Sequence, residues 1–131
     1  MTRSSVRKKI LVVEDEDLIR EMSVAQLQDA GYDVLEAPTA TEALDILGSG
    51  TAIALVFTDV NMPGNLDGLQ LAELVRVRWP TVRLIVTSGG GQVGPAHVRP
   101  PARFIAKPYP LTAMIEAVRE LAGEPVPAQG P

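Results

Sequence analysis

The chain has 131 residues, enough for one domain with a normal core and too few for two. Its 46% apolar and 21% charged content is that of a soluble globular protein, and a net charge of -4 argues against a chain built to grip nucleic acid. There is no cysteine, which excludes a disulfide frame and a thiolate zinc site.

Short apolar runs alternate with helix-like segments along the chain. The basic stretch Met1 to Lys9 precedes only Ile10 to Val13, too short for a signal-peptide core or a membrane span, so the cytoplasm is the expected compartment. Lys9 to Val13 reads as a strand covered on both faces. After Glu14-Asp15-Glu16-Asp17, a helix is predicted over Leu18 to Ala30, with Leu18, Met22, Ala25 and Leu27 at helical spacing. Gly31 sits where a helix C-cap glycine belongs. Tyr32 to Glu36 is the second predicted strand, and Thr39 with Glu42 forms a capping-box pattern that opens a helix to about Leu47.

The third strand, Ala54 to Thr58, delivers Asp59 and turns at once through Pro63 and Gly64. Asp67 with Gln70 is a second capping box; its helix runs to about Arg78, and Trp79-Pro80 stops it. Arg83 to Thr87 is the fourth strand, Arg103 to Ala106 a short fifth. Leu111 to Ala122 is the last helix, with Leu111, Met114, Ile115, Val118 and Leu121 in one stripe. Residues 1–7 and 123–131 are expected to be flexible tails around a unit of residues 8–122.

Strict alternation means parallel strands joined by right-handed crossovers, hence a three-layer α/β sandwich. One segment breaks the rhythm. Between Ser88 and Lys107 the chain offers Gly89, Gly90, Gly91, Gly94, Pro95, Pro100 and Pro101. Glycine costs roughly 1 and proline roughly 3 kcal/mol in a helix interior. The fourth helix is therefore expected to be short, irregular or absent, with at best a turn around Pro95 to Val98.

The residues that end the strands carry the chemistry: Glu14 and Asp15, Asp59, Ser88 and Lys107. In a sheet ordered 2-1-3-4-5 the first and third strands are neighbours, so their acids share a pocket at the switch point. Carboxylates that close repel unless a cation neutralises them, and hard oxygen ligands suit Mg2+. A lysine and a hydroxyl opposite complete a site for a tetrahedral anion, which fits phosphoryl transfer. Singly, each residue has a plainer reading: helix N-terminal acids favoured by the macrodipole, a turn aspartate, a loop serine, a surface lysine. All of them falling at strand ends favours the joint reading. His97 reads as a solvated loop residue, Trp79 as packing at its helix end, and Arg7-Lys8-Lys9 as a lead into the first strand.

Ile10-Leu11-Val12-Val13-Glu14-Asp15-Glu16, Thr58-Asp59-Val60-Asn61-Met62-Pro63-Gly64, Thr87-Ser88-Gly89 and Phe104-Ile105-Ala106-Lys107-Pro108-Tyr109 resemble the receiver domain of two-component response regulators. The resemblance spans about Lys8 to Ala122, four motifs in the family's order. It implies a flavodoxin-like fold with a five-stranded sheet of order 2-1-3-4-5. It further implies that Asp59 is the phosphoacceptor and that Glu14, Asp15, Asp59 and the backbone carbonyl of Asn61 hold Mg2+. Ser88 matches the switch hydroxyl, Lys107 the lysine that pairs with the phosphoryl group, and Phe104 the aromatic switch. Lys107-Pro108 is expected to be cis.

The chain departs from the family pattern at Glu14, in place of the commoner aspartate, at Asn65, an extra residue in the loop after Asp59, at Phe104, which lacks a phenolic hydroxyl, and in the Gly/Pro-rich segment. The expected function is that of a single-domain response regulator: a phosphoacceptor rather than a turnover enzyme. Its partners are a histidine kinase or histidine phosphotransfer protein and a protein target, with no nucleic acid and no membrane. The nine residues after Ala122 are too few for a DNA-binding module. Two rivals remain. One is a receiver-like interaction module that is never phosphorylated. The other is a flavin binder or aspartate-based phosphatase, which the acids after the first strand and Asn61 two residues beyond Asp59 disfavour.

Overall fold

The structure is a computed structural model and describes residues 7–62, 64–90 and 93–126. Five strands, β1 (Lys9–Val13), β2 (Asp33–Ala37), β3 (Leu55–Asp59), β4 (Arg83–Ser88) and β5 (Arg103–Ala106), form one sheet of order β2-β1-β3-β4-β5. All four pairings are parallel. The helices are α1 (Asp17–Asp29), α2 (Ala40–Gly48), α3 (Gly68–Arg78) and α4 (Leu111–Ala122). This is the flavodoxin-like arrangement, and it puts β1 and β3 side by side where the strand order reverses.

Side-chain alternation along the strands divides the core into two layers. Ile10, Val12, Leu55, Phe57 and Ile85 face α1 and α4, where they meet Val24, Leu27, Met114 and Val118. Leu11, Val13, Val56 and Leu84 face the other way, against Ala43 and Leu47 of α2 and Leu71 and Val75 of α3. Both faces of the central strands are covered, which is why those strands are continuous aliphatic runs.

Helix ends follow the capping chemistry. Thr39 accepts the Glu42 N–H at 3.1 Å, and Asp67 and Gln70 make both halves of a capping box at 2.9 Å each. At the end of α1, the Gly31 and Tyr32 N–H groups return to Gln28 and Leu27 carbonyls, a Schellman closure that needs Gly31 at φ 105°.

Between β4 and β5 the described residues hold only a single 3-10 turn, Pro95–His97, as the glycine and proline content predicts. Lys107-Pro108 is cis, as expected, and Pro100-Pro101 is cis as well.

Three expectations need correction. Of the predicted α1 stripe only Leu27 faces the core: Leu18 is 69% and Met22 48% exposed and Ala25 is exposed too, while Ser23 and Val24 are buried beside Leu27. The helix carries apolar residues on two faces, and packing against the sheet and α4 selects the second. The second strand begins one residue late, at Asp33, because Tyr32 is used in the α1 closure. Of the expected tails, residues 1–6 and 127–131 lie outside the described residues, but Gly123 and Pro125 are bonded to the domain. The Lys8 N–H donates to the Pro125 carbonyl at 2.8 Å, and the buried Tyr32 hydroxyl donates to the Gly123 carbonyl at 2.6 Å.

Candidate functional site at the strand ends

Register carries Glu14, Asp59, Ser88 and Lys107 to the C-terminal end of the sheet. Val13 pairs with Thr58, Asp59 with Thr87, and Ser88 with Ala106, so each residue ends its strand or directly follows it. The Lys107 N–H donates to the Ser88 carbonyl at 3.0 Å, extending that ladder into the site.

Asp59 is only 5% exposed. One of its carboxylate oxygens accepts from Lys107 Nζ at 3.0 Å and the other from the Asn61 N–H at 3.3 Å. Lys107 Nζ also lies 3.5 Å from Glu14 Oε1, and Glu14 Oε2 accepts the Glu16 N–H at 3.1 Å. Glu14, Asp15 and Asp59 each offer an oxygen atom within 4.8 Å of the others. Three hard oxygen donors that close, with one ammonium to balance them, form a donor set that fits Mg2+.

The electrostatics show the same crowding. Burial pushes the Glu14 carboxyl above the ordinary glutamate range; the Glu16 N–H opposes this and the Asp59 charge adds to it. For Lys107, burial acts to lower the pKa, but the bonds to Asp59 and Glu14 outweigh it, so the ammonium is held charged above its usual value.

Two glycines shape the pocket in a way that motif spacing does not reveal. Gly68 opens α3 beside Asp59, and a Cβ there would lie 2.0 Å from the Asp59 carbonyl oxygen. The sequence marks Gly68 only as part of the Asp67 cap; the contact crosses the loop that contains Asn65. Gly89 is the second: its Cβ would press on Lys107 Cβ at 3.2 Å. Phe104 lies half-buried on β5, paired with Val86. Ser88 is buried at the end of β4. Of the remaining residues, His97 is exposed and distant in chain order from every strand end, and Trp79 packs against the α2–α3 core. Among the described residues no helix is long and apolar enough to cross a membrane.

Comparison with known proteins agrees with this geometry. Residues 10–119 match the family model of the response regulator receiver domain. The chain is 35% identical over 116 residues to the sensor kinase CckA of Brucella abortus, covering 86% of this chain and 12% of that protein. It is 34% identical over 113 residues to the response regulator protein FleR of Pseudomonas aeruginosa, covering 84% of this chain and 24% of FleR. The chain thus spans a quarter or less of these two relatives. Among solved structures it is similar to a response regulator receiver protein of Sinorhizobium medicae, with a TM-score of 0.84, 29% identity, and coverage of 91% and 97%. It is similar also to TrrA of Thermotoga maritima, a complex with Mg(2+)-BeF, with a TM-score of 0.74, 30% identity, and coverage of 87% and 98%.

Proposed function

The chain belongs to the response regulator receiver domain family, and on that premise we propose that Asp59 accepts a phosphoryl group from a histidine kinase or a histidine phosphotransfer protein. The observation that carries the reading is the buried Asp59 carboxylate with Lys107 Nζ at 3.0 Å and two further acids within 4.8 Å.

In this mechanism an Asp59 carboxylate oxygen attacks the phosphorus of a phosphohistidine in line. The P–N bond breaks, imidazole leaves, and an acyl phosphate forms. Glu14, Asp15, Asp59 and the Asn61 backbone carbonyl would hold Mg2+, which when bound neutralises charge on the phosphoryl oxygens. Lys107 moves from the carboxylate to a phosphoryl oxygen and Ser88 donates its hydroxyl to another, drawing the β4 and β5 loops inward. Phe104 takes the space left behind, a shift between two packings of one fold. Water then hydrolyses the acyl phosphate, so the protein is a transient phosphoacceptor. The exposed Leu18 and Met22 on α1 give a donor an apolar surface, and Met22 lines a cavity of about 280 Å3 beside Lys107, Pro108 and Tyr109. Output passes through protein contact.

Phosphorylation by acetyl phosphate, followed on a phosphate-affinity gel with Mg2+ and with chelator, tests the reading. A shifted band that requires Mg2+ is expected. No shifted band, or one indifferent to chelator, contradicts it and favours an interaction module that is never phosphorylated.

A further inference from the structure

Charge is divided unevenly along the chain. Residues 74–115 hold six of the twelve arginines and lysines and no acid, so the other six share the rest of the chain with all sixteen acids. The fold gathers part of this basic stretch on one face. Among the described residues no α-helix forms between β4 and β5, so beside α3 the face of β4 is closed by the segment that leads from the 3-10 turn to β5. Two small cavities remain there, of about 80 and 40 Å3. Arg76 of α3 and Arg99 line both, over a floor that includes Leu84 and Ala102; His97 borders the larger and Arg83 the smaller.

The cations of this groove are not fully used. Glu73 is the one acid on its walls, and Arg76 engages it. That bond, with Arg99 adding in the same direction, holds the Glu73 carboxyl below its ordinary range. Arg76 still keeps its Nε buried without a hydrogen-bond partner. Arg83 and Arg99 are exposed and have no ion-pair partner among the described residues.

We infer that this groove docks an acidic segment of a partner protein with interspersed aliphatic residues. Its carboxylates pair with Arg76, Arg83 and Arg99, and its aliphatic side chains rest on the apolar floor. Arginine forks match carboxylates in bidentate geometry. Cavities of 80 and 40 Å3 take the ends of side chains rather than a base. No Phe, Tyr or Trp lines either one, and the acid-rich remainder of the chain repels a long polyanion, so single-stranded nucleic acid is the weaker fit. The inference rests on this groove and is independent of Asp59 chemistry.

The test is an NMR titration of the full 15N-labelled chain, arginine Nε–H signals included, with a synthetic dodecapeptide of repeated Glu-Glu-Leu. Shifts confined to α3, β4 and residues 97–102, with the Arg76 Nε–H among them, are expected. The Arg76→Gln/Arg99→Gln double variant should bind at least about tenfold more weakly, as the loss of two charge pairs implies. Arg99→Gln alone, an exposed change, should weaken binding to a smaller extent and keeps the test decisive if the double variant misfolds. Shifts scattered over the surface, unchanged binding by the variants, or tighter binding of a DNA dodecanucleotide than of the peptide would each overturn the inference.

Discussion

Two glycines separate the strand-end pocket from the segment that leaves it. A Cβ on Gly68 would lie 2.0 Å from the Asp59 carbonyl oxygen, whereas a Cβ on Gly94 would meet nothing within 4 Å. The pocket is backbone packed to contact; the described residues between β4 and β5 hold one 3-10 turn and otherwise open chain. Both adjoin Ser88, which ends β4 in the pocket and leads into the segment, yet only one side is tightly built. Strand register, not the number of helices, is what brings the strand-end residues together. Ser88 pairs with Ala106, and the Lys107 N–H returns to the Ser88 carbonyl, whatever the chain does in between.

The contrast can be pressed hardest at Gly68. Gly68→Ala sets a methyl against backbone that cannot rotate away, so a loss of about 3 kcal/mol is expected in urea unfolding, the upper end of overpacking costs. A loss under about 0.5 kcal/mol, the range of unremarkable surface changes, would mean that α3 shifts freely and the pocket is not backbone-fixed.

Lys107→Ala comes next. It leaves the buried Asp59 and Glu14 carboxylates facing each other without their ammonium. Breaking a fully buried pair costs about 3–5 kcal/mol; Lys107 is partly exposed, so about 2 kcal/mol is expected, with part restored by Mg2+. Calorimetry with and without Mg2+ reads both effects.

At the opposite end of the sheet, Tyr32→Phe removes the hydroxyl bond to Gly123, worth about 1 kcal/mol. Burial raises the native Tyr32 pKa above its ordinary value. The neutral phenol is therefore the form that folding favours. Its contribution is complete below the unfolded-state pKa and is lost as pH rises through the raised native one. The stability gap between wild type and Tyr32→Phe should accordingly be full at neutral pH and shrink in strong alkali, as denaturant midpoints at the two conditions will show.

Gly94→Ala is the smallest change. With open space around it and an extended backbone at φ -140°, it should alter stability by less than about 0.5 kcal/mol in the same urea experiment that reads Gly68→Ala. A large loss there would erase the contrast between the two regions.

Much of this was legible in the sequence because the signals are local. Aliphatic runs mark the strands, Thr39 and Asp67 mark helix starts, and the polar residues ending the runs mark the pocket. The Gly/Pro content of residues 89–101 calls for a short or irregular helix at most, and the described residues there hold one 3-10 turn. What escaped the sequence depends on tertiary contact. The α1 helix carries apolar residues on two faces, so periodicity alone cannot choose between Leu18-Met22 and Val24-Leu27. Gly123 and Pro125 look featureless as sequence, yet Lys8 and Tyr32 supply donors that bond to them. Gly68 reads as an ordinary residue at a helix start until the Asp59 carbonyl is seen against it.

Intact-mass measurement after incubation with acetyl phosphate and Mg2+, run on wild type beside Asp59→Asn, decides whether Asp59 is the phosphoacceptor. Wild type is expected to gain the mass of one phosphoryl group and the variant none. Equal gain by both, or none by wild type, would contradict that role.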